Sequence, residues 1–362
     1  MKRKMKQTLS IAVVAAVSVF VAACAPSAPA TPAAPAGGGA APAAPADTAG
    51  APDEVIEMVL SGITTDAGKE GTDHFIELVY EKSGGTLILN HFPDDQLGHN
   101  RVTFESTIFG DIDIAIGATG NVAVLYADLF AFDAPFLFLN EEQAHAIMDG
   151  PVGQAMLEGM GSVGLKGLAW FENGFRNLTN SRVAARTPAD VQGMSVRVME
   201  NEIHIAAWNA FGANPTPMAF AEVFTALQQG TVDAQENPLG IIYGNAFQEV
   251  NQYVSITQHA YSPFLMVMNL DRWNSLSDMQ RDALTSAARE AEVWQRNRVQ
   301  ELDAEILTAF AEQGVTVVEL TLEEKLAFQE LVLEAGVFDL ARSRMDNPDL
   351  LDQMLEQLAG MN

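Results

Sequence analysis

Arginine is the residue type that could do chemistry here. Arg176, Arg182, Arg186 and Arg197 fall between Asn173 and Met199, and Asp190 is the only acid in that window. The whole chain carries a formal net charge of −27, so the window is a local reversal of sign. A guanidinium is a planar fork that meets a carboxylate through two parallel charge-assisted hydrogen bonds. The overall field repels anions. Recognition of an anion would therefore have to come from a short-range, partly desolvated site rather than from steering. Arg182 and Arg186 flank turn residues and are expected to pair with surface acids. Arg197 lies in Ser195-Val196-Arg197-Val198, between apolar strand residues, where a charge needs a partner.

Other chemistries find little support. Gly159-Met160-Gly161-Ser162-Val163-Gly164 matches the spacing of a dinucleotide loop. Such a loop must follow a strand and open a helix. Here a helix over 153–160 precedes it and a strand follows, so it reads as a helix end. His91 and His99 have no third ligand at metal spacing and read as structural or surface histidines. Neither an H-E-x-x-H nor a G-x-S-x-G pattern is present. The single cysteine is Cys24, so the folded part has no disulfide, thiol catalysis or thiolate metal site.

Cys24 has a different reading. Lys2, Arg3, Lys4 and Lys6 precede an apolar run from Leu9 to Ala22, too short for a comfortable membrane span. The run ends in Val21-Ala22-Ala23-Cys24, which resembles a bacterial lipobox. The expectation is a signal peptide over 1–23, cleavage before Cys24, and a lipid on that cysteine that holds the protein to a membrane outside the cytoplasm. Residues 24–52 are then a tether. From Ala25 to Ala51 the chain is nearly all Ala, Pro and Gly, with Pro26, Pro29, Pro32 and Pro35 at a three-residue repeat. It has no apolar bulk to bury and could reach about 80 Å when extended.

Losing the four leader cations takes the net charge to −31, which makes nucleic acid a poor partner. Hydrophobic residues make up 48% of the chain, enough for two lobes. The body reads as α/β. A β-α-β-α-β run is expected over 55–60, 72–81, 86–91, 100–109 and 112–116, which favours a parallel sheet. A second alternation has strands at 165–170, 195–198 and 264–269, and helices at 202–211 and 219–228. Ser277 reads as the N-cap of a helix running to about 313, roughly 50 Å long and more than one small domain needs. A strand over 315–318 and a helix over 322–342 follow.

Several motifs taken together resemble the solute-binding proteins of TRAP transporters, the DctP-type family. They are Asn173-Gly174-Phe175-Arg176-Asn177-Leu178-Thr179-Asn180, Gly193-Met194-Ser195-Val196-Arg197-Val198-Met199, Gly212 to Phe220, and Val232 to Leu239 with its Gln235-Glu236-Asn237-Pro238. Upstream, Phe92-Pro93, Gln96-Leu97-Gly98 and Ala134 to Phe138 also fit. The resemblance runs from about Val55 to the C-terminus. It implies a type II periplasmic-binding-protein-like α/β fold, with two hinged lobes and a long helix spanning both. Lobe I would be 53–173 with 263–303, and lobe II 174–262 with 304–362. It implies no catalysis and no cofactor, a small organic acid as ligand, and membrane permease subunits as partners. By the resemblance, Arg197 forks onto the ligand carboxylate, Arg176 assists, Asn237 faces the cleft and Phe220 packs on the ligand. Ser61, Asn100, Thr119, Trp170, Glu200 and Tyr261 are further lining positions, each of which could instead be structural. Glu200 in the cleft would accept from hydroxyls and repel a second carboxylate, which favours a sugar acid over a C4-dicarboxylate. A ligand-sensing lipoprotein would use the same site. An extracellular enzyme acting on organic acids would need a nucleophile or an acid–base pair that the sequence does not offer.

Overall fold

The computed structural model describes residues 54–361. The leader, Cys24 and the tether lie outside them. Eleven strands follow in chain order: β1 (Ile56–Gly62), β2 (Leu87–Phe92), β3 (Ile114–Ala118), β4 (Leu165–Phe171), β5 (Phe175–Asn180), β6 (Ser195–Val198), β7 (Asn214–Pro217), β8 (Ala234–Asn237), β9 (Tyr253–Tyr261), β10 (Phe264–Asn269) and β11 (Thr316–Glu319). They form two mixed sheets, of order β2-β1-β3-β10-β4 and β11-β9-β5-β8-β6-β7. The expected β-α-β-α-β run is there, with β1 parallel to both β2 and β3. β10 is antiparallel to β3 and β4, because it enters the first sheet from the second.

The chain passes between sheets through two short antiparallel segments. β4 leaves through Glu172-Asn173-Gly174 into β5, and β9 returns through Ser262-Pro263 into β10. Phe171 pairs with Phe264 on one side of the crossing and Phe175 with Tyr261 on the other. The Ser262 N–H donates to the Gly174 carbonyl at 3.1 Å between them.

A helix from Asp278 to Glu312 braces this crossing. Ser277 starts it with a capping box, its hydroxyl accepting from the Gln280 N–H while Gln280 caps in return. Leu284, Ala287, Ala288 and Ala291 belong to the core of the first sheet. Ile306 and Phe310 belong to a core of the second. The alanines let the helix Asp66–Lys82 pack closely beside it. Midway, the fully buried Gln295 clamps the crossing: its Oε1 accepts from the Glu172 N–H at 2.7 Å and its Nε2 donates to the Glu172 carbonyl at 2.8 Å.

The largest core runs from one sheet to the other, from Trp170 and Leu265 through Phe132 and Phe138 to Val196, Val198 and Trp208. It is sealed by C-terminal helices at Leu322–Glu334, Val337–Arg344 and Asp349–Ala359. The single helix expected over 322–342 is therefore two, broken where Gly336 takes φ 70°. At the G-x-G-x-x-G spacing, a helix ends at Gly159, a tight turn covers Met160–Val163 and β4 begins at Leu165, the reverse of a dinucleotide loop. No helix among the described residues is long and apolar enough to cross a membrane.

Candidate functional site

The crossing strands deliver the N-G-F-R arginine to a buried place. Arg176 on β5 is 1% exposed. β5 runs antiparallel to β8, with Leu178 opposite Glu236 and Asn177 opposite Asn237, so the arginine and the Q-E-N-P acid meet. Arg176 Nε donates to Glu236 Oε2 at 2.5 Å and Nη2 to Oε1 at 2.9 Å. Nη2 also reaches the Glu236 carbonyl and Asn237 Oδ1. His259 Nε2 lies 3.0 Å from Glu236 Oε2. Burial by itself would push the Glu236 carboxyl up; Arg176, His259 and His204 outweigh it and hold the group well below the usual carboxylate range. Burial moves the His259 imidazole down, against the pull of Glu236. Arg176 is thus paired within the protein, and only its Nη1 has no hydrogen bond among the described residues.

Arg197 differs. It is 2% exposed on β6, which lies between β7 and β8. Its Nε and Nη2 both donate to the Met218 carbonyl, at 3.1 and 2.7 Å, and Phe220 lies under the guanidinium, 6.0 Å from Cζ to the ring centre. No carboxylate forms an ion pair with it among the described residues. The other two buried arginines are paired, Arg176 with Glu236 and Arg296 with Asp149 and Glu292. Burial therefore drives Arg197 down to about 10, with Glu236 opposing and Arg176 adding to the drop. A desolvated cation held in place by a carbonyl, with one edge of its fork free, is a ready anion receptor.

Both arginines open into one cavity, between the second sheet and the loops that follow β1, β2 and β3. Asn237, Phe220, Met199 and Ile241 line it from one side; Ile63, Thr64, Asp95, His99, Asn100 and Asn121 line it from the other. Gly62 ends β1 at φ 118°, where a Cβ would lie 1.9 Å from the Ile116 carbonyl oxygen, so only glycine lets the chain turn toward the cleft there. Asn100 opens the helix Asn100–Phe109, and its Oδ1 accepts from the Ala118 N–H and from Asn121 Nδ2, both at 3.1 Å. Toward the mouth the cavity widens past Glu200, Arg101 and Ala221.

Of the positions expected to line a site, Arg197, Arg176, Asn237, Phe220, Asn100 and Glu200 do meet here. Four do not. Trp170 is a core residue: it packs on Phe132 and points its Nε1 at the Gly153 carbonyl. Tyr261 is buried among Phe138, His145 and Phe175, its hydroxyl pushed up by burial and by Glu172. Ser61 and Thr119 are fully buried beside the cleft rather than on its wall. Arg182 and Arg186 pair with surface acids, Asp233 and Glu324. Sequence reasoning missed Glu236, Asp95 and Asn121, and read His99, a cleft-lining residue, as a structural or surface histidine. The Glu in Q-E-N-P was a signal for the first of these, as an acid in an otherwise polar strand facing an arginine strand.

A larger cavity, about 270 Å³, lies on the other side of Asn173 against the long helix. Asp303 there is pushed up to about 7 by burial and by Glu172 and Glu141. Its lining includes Asp66, Glu172, Asp303 and Glu305 and no arginine, a poor setting for an anion.

The family model of bacterial extracellular solute-binding proteins, family 7 (DctP), matches residues 64–335. This chain belongs to the DctP family. It is a solute-binding protein of the TRAP transporter type, with the two-lobe fold of periplasmic binding proteins. It is 40% identical over 254 residues to the 2,3-diketo-L-gulonate-binding periplasmic protein YiaO of Escherichia coli, covering 70% of this chain and 77% of that one. It is 29% identical over 270 residues to the C4-dicarboxylate-binding periplasmic protein DctP of Rhodobacter capsulatus, covering 74% and 80%. Among solved structures, the sugar acid binding protein DctPAm of Advenella mimigardefordensis, in complex with galactonate, superposes with a TM-score of 0.79 at 32% identity, covering 84% of this chain and 97% of that one. As a member of this family, the chain is the extracytoplasmic component that captures a small organic acid for a TRAP transporter.

Proposed function

We propose that this DctP-family protein captures a hydroxylated monocarboxylate, a sugar acid, and presents it unchanged to the permease. The observation that carries the reading is Arg197: a buried guanidinium with no acid partner among the described residues, facing a cavity. The ligand carboxylate forks onto Arg197, Arg176 Nη1 and Asn237 assist, and Phe220 packs against the carbon chain. Ile63, Thr64, Asn100 and Asn121 close from the facing lobe. The lobes are 53–173 with 263–303 and 174–262 with 304–362, hinged at the two crossings. A sugar acid is favoured over a C4-dicarboxylate because Glu200 stands at the mouth, where it accepts from hydroxyls and repels a second carboxylate. Two of the three relatives named above bind hydroxylated carboxylates and one binds C4-dicarboxylates.

Delivery to a permease suits a tethered protein, and lipidation of Cys24 supplies the tether. Replacing Cys24 with Ser should release the protein from membranes; fractionation of Cys24→Ser with membranes as wild type does would refute the anchor. The ligand reading is tested by thermal-shift screening against an organic-acid panel. Aldonates and uronates should raise the melting temperature most, and the acid should be recovered chemically intact after incubation. A panel led by dicarboxylates would overturn the sugar-acid reading, and consumption of the acid would favour an enzyme.

A further inference from the structure

We propose that Asp95 is the residue that selects ligands by their hydroxyl groups, acting as a hydrogen-bond acceptor opposite the arginines. This rests on the reading of Arg197 as the carboxylate fork.

Asp94 and Asp95 form the tip of the loop after β2, and both take left-handed backbone conformations, with φ of 54° and 55°. Two consecutive non-glycine residues in that region cost conformational energy, and such strain persists where the surroundings over-determine it. Here the surroundings are backbone hydrogen bonds. The Asp94 N–H donates to the Ile63 carbonyl, Gln96 N–H to Pro93 and Gly98 N–H to Asp95. The turn sends the two acids in different directions. Asp94 is exposed and paired with Lys69 at 3.2 Å. Asp95 is half-buried, forms no ion pair among the described residues, and lines both the inner cavity and its mouth.

Burial pushes the Asp95 carboxyl up, while His99 partly offsets this. A partly desolvated carboxylate without donors is costly, and ligand hydroxyls supply donors. Glu200 adds a second negative group at the mouth. The cavity is therefore cationic at Arg197 and Arg176 and anionic at Asp95. A chain with one carboxylate and several hydroxyls satisfies both. A dicarboxylate places its second charge against Asp95, which is discrimination by repulsion as well as attraction.

The test uses calorimetry with four- to six-carbon aldonates, the dicarboxylates of the same lengths, and the matching amino acids. Asp95→Asn keeps the shape, and asparagine tolerates the left-handed backbone. It should weaken aldonate binding by about tenfold to a hundredfold, since a hydrogen bond to a charged acceptor is lost. Dicarboxylate binding should stay level or tighten. Asp94→Asn, the outward neighbour in the same turn, should change neither, which separates selectivity from disturbance of the loop. An unchanged aldonate-to-dicarboxylate ratio in Asp95→Asn would overturn the proposal and leave the Arg197 reading standing. Amino acids binding tighter than aldonates would also overturn it, by making Asp95 an ammonium partner. If no carboxylate bound wild type, or if Arg197→Lys bound all of them as wild type does, the underlying reading would fail instead.

Discussion

Two arginines sit within the same sheet and do different work. Arg176 is bound twice over by Glu236, so most of its fork holds β5 to β8. Arg197 is held by the Met218 carbonyl and the Phe220 ring, with no ion pair among the described residues. Binding should therefore depend on Arg197 more steeply than on any exposed arginine. Arg197→Lys keeps the charge and loses the paired geometry, so it should weaken binding. Arg197→Ala should cost about 2–5 kcal/mol, because it leaves a buried carboxylate unpaired. That is roughly thirtyfold to several thousandfold in Kd. Arg182→Ala should change little, since an exposed pair is worth about 0–1 kcal/mol. Calorimetry on the three variants decides it, and equal losses at Arg182 and Arg197 would mean that the basic window acts as a diffuse field. Arg197 was legible in the sequence because a charge between apolar strand residues demands an explanation. Asp95 was not, because its importance comes from a backbone turn that aims it inward, and an Asp-Asp pair in a loop ordinarily signals a solvated surface. Trp170 was misplaced for a related reason: strand β4 is buried throughout its C-terminal half, so alternation gave no clue to which face met the cleft.

At the scale of elements, the features with strong local signals were legible: Ser277 as a cap, the long helix, β6 and β10. Elements carried by polar residues were not. β5 and β8 are buried along their whole length yet contain Arg176, Asn177, Gln235 and Glu236, so no apolar run marks them. Arg176 with Glu236 and Thr179 with Gln235 pair across the two strands, and Asn177 is satisfied by the Phe175 carbonyl and the Gln258 N–H, partners that only the fold reveals. The long helix also carries a pH-sensitive position. Asp303 is pushed up to about 7, above its value in an unfolded chain, by burial and neighbouring acids. A raised carboxyl contributes stability that is fully present below about pH 4 and is lost as pH rises through about 7. Asp303→Asn mimics the protonated form. It should match wild type near pH 4 and exceed it at pH 8, by on the order of 1–2 kcal/mol given the partial exposure of the site. Melting temperatures across that range check the sign; an advantage largest at pH 4 would contradict the assignment.

The described residues form two sheets joined by two short crossings, braced by one helix whose halves belong to different cores. In such an arrangement a ligand contacting both sides of the cleft shifts a balance between open and closed forms, and only contacts made in the closed form drive that shift. Gln295 fixes the crossing from β4 to β5 to the long helix. The most direct measurement is small-angle scattering of the purified body with and without a saturating sugar acid, run in parallel on Arg197→Ala at the same concentration. Wild type should become more compact on adding the acid, and Arg197→Ala should keep the dimensions of its unliganded form. A wild-type particle that binds the acid by calorimetry yet does not contract, or an Arg197→Ala particle that contracts as fully as wild type, would contradict the account.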